Sequence, residues 1–166
     1  MPDNPTLVLK NLGPRDILFR NFAGAPREFN SEGDRNFCVK LSPEHALQLK
    51  EKGWRVKQLK PRPDEEEGDW ILKVKVNFKS GRPPKCMLKT SNKTTILDED
   101  NVKFLDAVDV ERVDVVINGW WSDMAEGGYS GFLKTIALTA AEDEVEAMYM
   151  ADLTESFEDD SEPVEA

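Results

Sequence analysis

The clearest pattern in the chain is WILKVKVNFK, residues 70–79. Trp70, Leu72, Val74, Val76 and Phe78 fall on one side of a two-residue repeat. Ile71, Lys73, Lys75, Asn77 and Lys79 fall on the other. That period predicts a strand with one buried and one solvated face. SGRPP (80–84) turns the chain and KCMLKT (85–90) runs back, so the two segments read as hairpin partners. Upstream, DILFRNF (16–22) and RNFCVKL (35–41) read as paired strands across the turn-rich stretch AGAPREFNSEGD (23–34). SPEHALQLKEKG (42–53) predicts a short helix: Ser42 can cap the free amides, Pro43 suits the first helical position and Gly53 the end. WRVKQLK (54–60) predicts a third strand, stopping at the polar loop PRPDEEEGD (61–69). LDEDNVKFLDAV (97–108) fits a second short helix with Asp98 as its cap. VERVDVVINGWW (110–121) is a long strand, SDMAEGGYSG (122–131) a hairpin loop and FLKTIALT (132–139) the closing strand. Residues 1–14 hold Pro2, Pro5, Gly13 and Pro14 and read as a loose leader or an edge strand.

Many short strands, few helices and Gly/Pro turns predict a mainly β fold. The small helix between strands favours an OB-like barrel of short antiparallel strands, with one or two short helices, over an immunoglobulin-like sandwich. The length suits one such domain, residues 1–139, followed by a flexible acidic tail, residues 140–166.

Charge sharpens this division. Residues 140–166 contain 11 acids and no Lys or Arg, while the remaining residues carry 22 cations against 21 acids, a net of +1. The acidity is therefore local, as in interaction tails, although a tail can also serve solubility alone. The opposite bias lies in the middle. From Trp70 to Leu97 there is no acid, and seven cations occur: Lys73, Lys75, Lys79, Arg82, Lys85, Lys89 and Lys93. On a sheet surface such a run is an electrostatic track for phosphates, or else a solvated outer face.

A single-strand binder also needs aromatic faces on which bases stack. Most aromatics here follow core positions: Phe37 with Val39 and Leu41, Trp121 with Val115 and Ile117, Phe132 with Ile136 and Leu138. Four do not. Phe22 shares a face with Arg20, Trp120 alternates to the side of Asn118, Tyr129 sits in the glycine-rich loop, and Trp54 opens a strand. Catalytic chemistry finds little support. His45 is the single histidine, which excludes a His-pair metal site and weakens a triad. Cys38 and Cys86 form no C-x-x-C pair. Asp98, Glu99 and Asp100 suit the start of a helix at least as well as a metal. No phosphate-binding Gly-x-x-x-x-Gly-Lys-Ser/Thr loop is present. We therefore expect no catalytic residues, metal or cofactor. The start MPDNPTLVLKNLG lacks the features of a signal peptide, and no stretch approaches the roughly 20 apolar residues of a membrane span.

The segments FRNFAGAPREFNSEGDRNFCVKL (19–41), GWRVKQLKPR (53–62) and VNFKSGRPPK (76–85) resemble a bacteriophage family of single-stranded DNA-binding proteins with an OB fold. The likeness covers roughly residues 16–139 and extends to an acidic end. Many tails of this kind finish on an aromatic residue, whereas this one finishes EPVEA, with Phe157 several residues inside. The resemblance implies a non-enzymatic protein of the host cytoplasm. It would coat single-stranded DNA during replication or recombination and meet phage or host replication proteins through its tail. Together with the residue pattern it predicts phosphate contacts at Arg20, Lys57, Lys73, Lys75, Lys79, Arg82 and Lys85, and stacking at Phe22, Trp54, Trp120 and Tyr129. A homodimer is compatible with such a barrel, with no exposed apolar stripe to mark its interface. The rival expectations are a phage structural or assembly β-barrel that does not bind DNA, and an enzyme acting on nucleic acid, with acids such as Asp98 and Asp100 holding a metal.

Overall fold

The computed structural model describes residues 4–28, 30–90, 93–124 and 126–141. The acidic segment 142–166 lies outside the described residues. The chain forms strands β1 (Thr6–Leu12), β2 (Ile17–Asn21) and β3 (Arg35–Leu41), then helix α1 (Pro43–Glu51). Strands β4 (Val56–Gln58), β5 (Trp70–Val76), β6 (Lys85–Lys89) and β7 (Thr94–Leu97) follow. A 3-10 helix at Val102–Asp106 leads into β8 (Val110–Ser122) and β9 (Gly128–Ala140). The sheet runs in the order β1-β8-β9-β5-β3-β2, with β4 beside β5, and β6 pairing both β7 and β9. This is a mainly β, OB-like fold. No helix among the described residues is long and apolar enough to cross a membrane.

Local chemistry forms these elements as the sequence predicts. Along β5 the alternation is clean at its centre: Leu72, Val74 and Val76 are buried, while Lys73 and Lys75 are exposed. Ser42 caps α1, its hydroxyl accepting from the His45 amide at 3.1 Å. Gly53 follows the helix at φ +101°, a conformation natural to glycine. The β8–β9 hairpin is the longest ladder and spans Val110–Ala140. Its inner residues Val113, Val115, Ile117, Leu133, Ile136 and Leu138 meet Phe37, Val39, Leu72, Val74 and Leu88 in one core. Burial of these aliphatic side chains is the main driving force for the fold.

Three expectations need correction. First, β5 and β6 are not hairpin partners. Both run parallel to β9, β5 at Gly131–Phe132 and β6 at Thr135–Thr139. The thirteen-residue β9 is long enough to hold both strands in tandem along one edge. The segment 77–84 is thus a loop that leaves that edge and rejoins it in the same direction. The antiparallel partner of β6 is β7, a strand that the hydrophobic pattern does not announce. Second, the helix expected over 97–108 shrinks to the short 3-10 helix. Asp98 folds a turn before it, Oδ1 accepting from the Asp100 and Asn101 amides. Third, β9 begins at Gly128, inside the expected hairpin loop, and continues through the buried Ala140, one residue past the expected end of the closing strand.

Candidate nucleic-acid interface

The outward side of the sheet is set by register. Asn36 of β3 pairs with Lys75 of β5, Lys75 with Phe132 of β9, and Phe132 with Asn118 of β8. Asn118 in turn pairs with Thr6 of β1. Residues paired across a sheet share a face, so Asn36, Lys75, Phe132, Asn118 and Thr6 form one row. The adjacent row holds Cys38 against Lys73, and Ser130 against Trp120. Trp120 is 56% exposed. The Lys75 ammonium lies 5.7 Å from the centroid of the Phe132 ring, within the range of a cation–π contact. A groove of about 480 Å³ opens beside this surface, lined by Asn36, Lys73, Lys75, Lys79 and Phe132, with Glu32, Asp34 and Glu99 also present.

Phe132 was expected in the core beside Ile136 and Leu138. A bulge overturns that placement. Between Val116 and Ile117 the register of β8 slips, so β9 passes from Leu133 to Thr135 while β8 passes from Ile117 to Val116. The extra residue, Lys134, shifts the alternation by one. Before it, Tyr129, Gly131 and Leu133 face the core; after it, Ile136, Leu138 and Ala140 do. Phe132 therefore points outward and is half-buried, and Lys134 is exposed. The sequence carries the signal in FLKTI, where adjacent Phe132 and Leu133 cannot share a face and Lys134 interrupts the repeat that would join Phe132 to Ile136 and Leu138.

The structure sorts the expected site residues. Lys73 and Lys75 stand exposed on β5, Lys79 and Arg82 in the loop after it, and Lys85 at the start of β6 beside Thr135. Lys57 pairs with Ile71 and is exposed. Lys57 and Lys73 both lie close enough to Cys38 to act on its thiol, yet burial dominates and holds the thiol's pKa above its ordinary value. Cys38 therefore stays neutral and adds no negative charge beneath the lysines. Cys86, deeper in the core, is pushed up to about 12, again by burial.

Four expected contacts lie elsewhere. Phe22 is fully buried and stacks on Phe37, with centroids 5.1 Å apart. Trp54 and Tyr129 are buried against each other at 5.8 Å, and the Trp121 ring meets Tyr129 edge-on at 5.1 Å. Gly119 makes room for this cluster: a Cβ there would come within 3.0 Å of Trp54 and Pro5. Phe22, Trp54 and Tyr129 are core, with no free face for a base. Arg20 is committed too, its Nη1 donating to the carbonyls of Leu105 at 2.7 Å and Val108 at 2.8 Å. In return, Asp106 accepts from the Phe22 and Ala23 amides at 2.8 and 3.0 Å. Arg20 thus docks β2 on the 3-10 helix, with its Nη1 committed to those two carbonyls. Alternation could not reveal this, because the partner carbonyls come from more than 80 residues away.

Comparison with known proteins follows the same direction as this geometry. A family model described as "Putative phage ssDNA-binding domain" matches residues 7–164. No curated protein matches the sequence. Among solved structures, a C-terminal truncation of the single-stranded DNA-binding protein from bacteriophage Enc34 is similar at 10% identity and a TM-score of 0.50, covering 83% of this chain and 87% of that one. That likeness is one of fold. The same Enc34 protein in complex with ssDNA aligns at 11% identity with a TM-score of 0.49, covering 83% of this chain and 88% of the other. With nearly its whole length matched by the family model, the chain belongs to the phage single-stranded DNA-binding domain family.

Proposed function

We propose that this protein binds single-stranded DNA without sequence preference, across the outward side of β3, β5, β9 and β8. The observation that carries the reading is the register that sets Lys75 beside Phe132, with Lys73 and Trp120 in the adjacent row. Cations hold phosphates and aromatic faces stack unpaired bases, which is the combination a sequence-tolerant strand binder requires. Lys73, Lys75 and Lys79 take phosphates along β5 and its loop, and Lys57, Arg82 and Lys85 extend the track. Lys134 joins them from the β9 bulge. Phe132 and Trp120 are the stacking platforms, in place of the buried Phe22, Trp54 and Tyr129.

The protein coats strands exposed during phage replication or recombination in the host cytoplasm. Its acidic segment, residues 140–166, acts as a tethered polyanion that competes for the lysines at high effective concentration. Displaced by DNA, the segment becomes available to replication or recombination proteins. Membership of a DNA-binding family and the outward pairing of cations with aromatics support this reading over a structural barrel. Against a nuclease, Asp98 has one carboxylate oxygen, Oδ1, engaged by two backbone amides of its own turn.

The test is a titration with fluorescent oligothymidine and with a duplex of equal length, over a range of salt and with or without magnesium. Tighter binding to the single strand is expected, with log affinity falling linearly with log salt as counterions are released. The oligonucleotide should remain intact. Equal affinity for both forms would remove base stacking, a flat salt response would remove the phosphate track, and magnesium-dependent cleavage would favour the nuclease.

A further inference from the structure

Phe19 has a backbone and an exposure that the fold does not explain. Alternation along β2 runs from the buried Ile17, paired with Val39, to Leu18, paired with Cys38. The next position should turn back to the core with Ile17. Instead the register slips between Leu18 and Asn21, and Phe19 adopts φ +53°. That is the left-handed region, which a bulky L side chain rarely enters and glycine enters freely. The ring is 59% exposed. The strained backbone therefore brings no burial in return.

The kink is held on its C-terminal side. Arg20 is tied to the carbonyls of Leu105 and Val108, and the Phe22 and Ala23 amides are tied to Asp106. Surroundings that over-determine a strained residue mark it as a candidate for function. An exposed aromatic on an edge strand is otherwise a liability, because such edges invite unwanted pairing.

We propose that Phe19 is a further base-stacking platform, which extends the single-stranded DNA path from β8 to the β2 edge. The inference rests on the DNA-binding reading above. Register brings the two regions together: Leu18 lies beside Cys38, and Cys38 beside Lys73. The strand that carries Phe19 is thus two inter-strand spacings, about 10 Å, from the strand that carries Lys73 and Lys75. A strand held by those lysines and stacked on Phe132 reaches β2 by crossing β3, where Asn36 already lines the groove. The ring is presented in advance of binding, so no ordering cost is added when a base arrives.

The test compares the full-length protein with Phe19→Gly, Phe19→Asn and Phe19→Tyr. Glycine and asparagine both tolerate positive φ, so the ringless variants should melt at or above the parent temperature. Their affinity for oligothymidine should fall about 5- to 150-fold, the range of one base–aromatic stack. Phe19→Tyr keeps an aromatic face and should bind like the parent. If either ringless variant folds like the parent and keeps its full affinity, the inference is overturned and Phe19 is left to a protein partner. If both ringless variants melt well below the parent, Phe19 is structural and the inference is equally overturned. Failure of the parent itself to bind oligothymidine would instead overturn the DNA-binding reading.

Discussion

Phe22 and Phe132 show how far burial decides a residue's role. Phe22 is fully buried against Phe37, and Phe132 is half-buried on the outward side beneath Lys75. Phe22→Ala should cost about 3–5 kcal/mol of stability through lost burial and the cavity left behind. Whatever protein remains folded should still bind DNA. Phe132→Ala should leave the melting temperature nearly unchanged and weaken oligothymidine binding by about 1–3 kcal/mol, one stacked base. Thermal melts and fluorescence titrations on the two variants check both halves. Parent-like affinity for the Phe132 variant would move the stacking surface elsewhere.

At the scale of the element, β5 divides its labour by face. Lys73 and Lys75 are exposed, and Val74 lies between them at 0% exposure. Changing Lys73, Lys75 and Lys79 together to Ala should weaken binding uniformly across sequences. It should also lower the slope of log affinity against log salt by about 2, since each lost phosphate contact on a single strand accounts for about 0.7. Stability should hardly change, because solvated lysines contribute little to folding. Val74→Asp should do the reverse and unfold the domain, since a charge would enter the core unpaired. Circular dichroism melts and salt-dependent titrations separate the two outcomes. The β9 bulge is the companion device: by adding Lys134 it frees Phe132 for the surface while returning Ile136 and Leu138 to the core.

For the whole molecule, the governing feature is segregated charge. The acid-free stretch 70–97 supplies β5, the loop after it, β6 and β7, while residues 140–166 hold 11 acids without a cation. Truncation after Leu153 removes Glu155, Glu158, Asp159, Asp160, Glu162 and Glu165 and leaves Val145, Met148, Tyr149, Met150 and Leu153 in place. The truncated protein should bind oligothymidine more tightly at low salt. The gain should shrink as salt rises, because exposed charges are screened over about 10 Å at 0.1 M. Identical affinity with and without the segment, at every salt concentration, would leave it a solubility device or a partner tag.

The sequence by itself determined whatever depends on neighbours along the chain. Strand alternation in WILKVKV, the Ser42 cap, the Gly53 stop and the separation of acids from lysines are all short-range, and each is legible in the order of residues alone. Family strings and the mainly β, OB-like fold are legible on the same basis. Tertiary structure decided what depends on partners far away. Whether KCMLK pairs with WILKVKV or lies in tandem with it depends on the length of β9, not on the turn between them. Whether Arg20 meets a phosphate depends on carbonyls from the 3-10 helix and the turn after it. Whether Phe22, Trp54 and Tyr129 face solvent depends on which strands close over them. Single residues inserted in a ladder, at Lys134 and around Phe19, reverse the facing of their neighbours. Periodicity shows at most that alternation breaks, as in FLKTI; where the slip falls is set by cross-strand pairing and not by the residues of one strand alone.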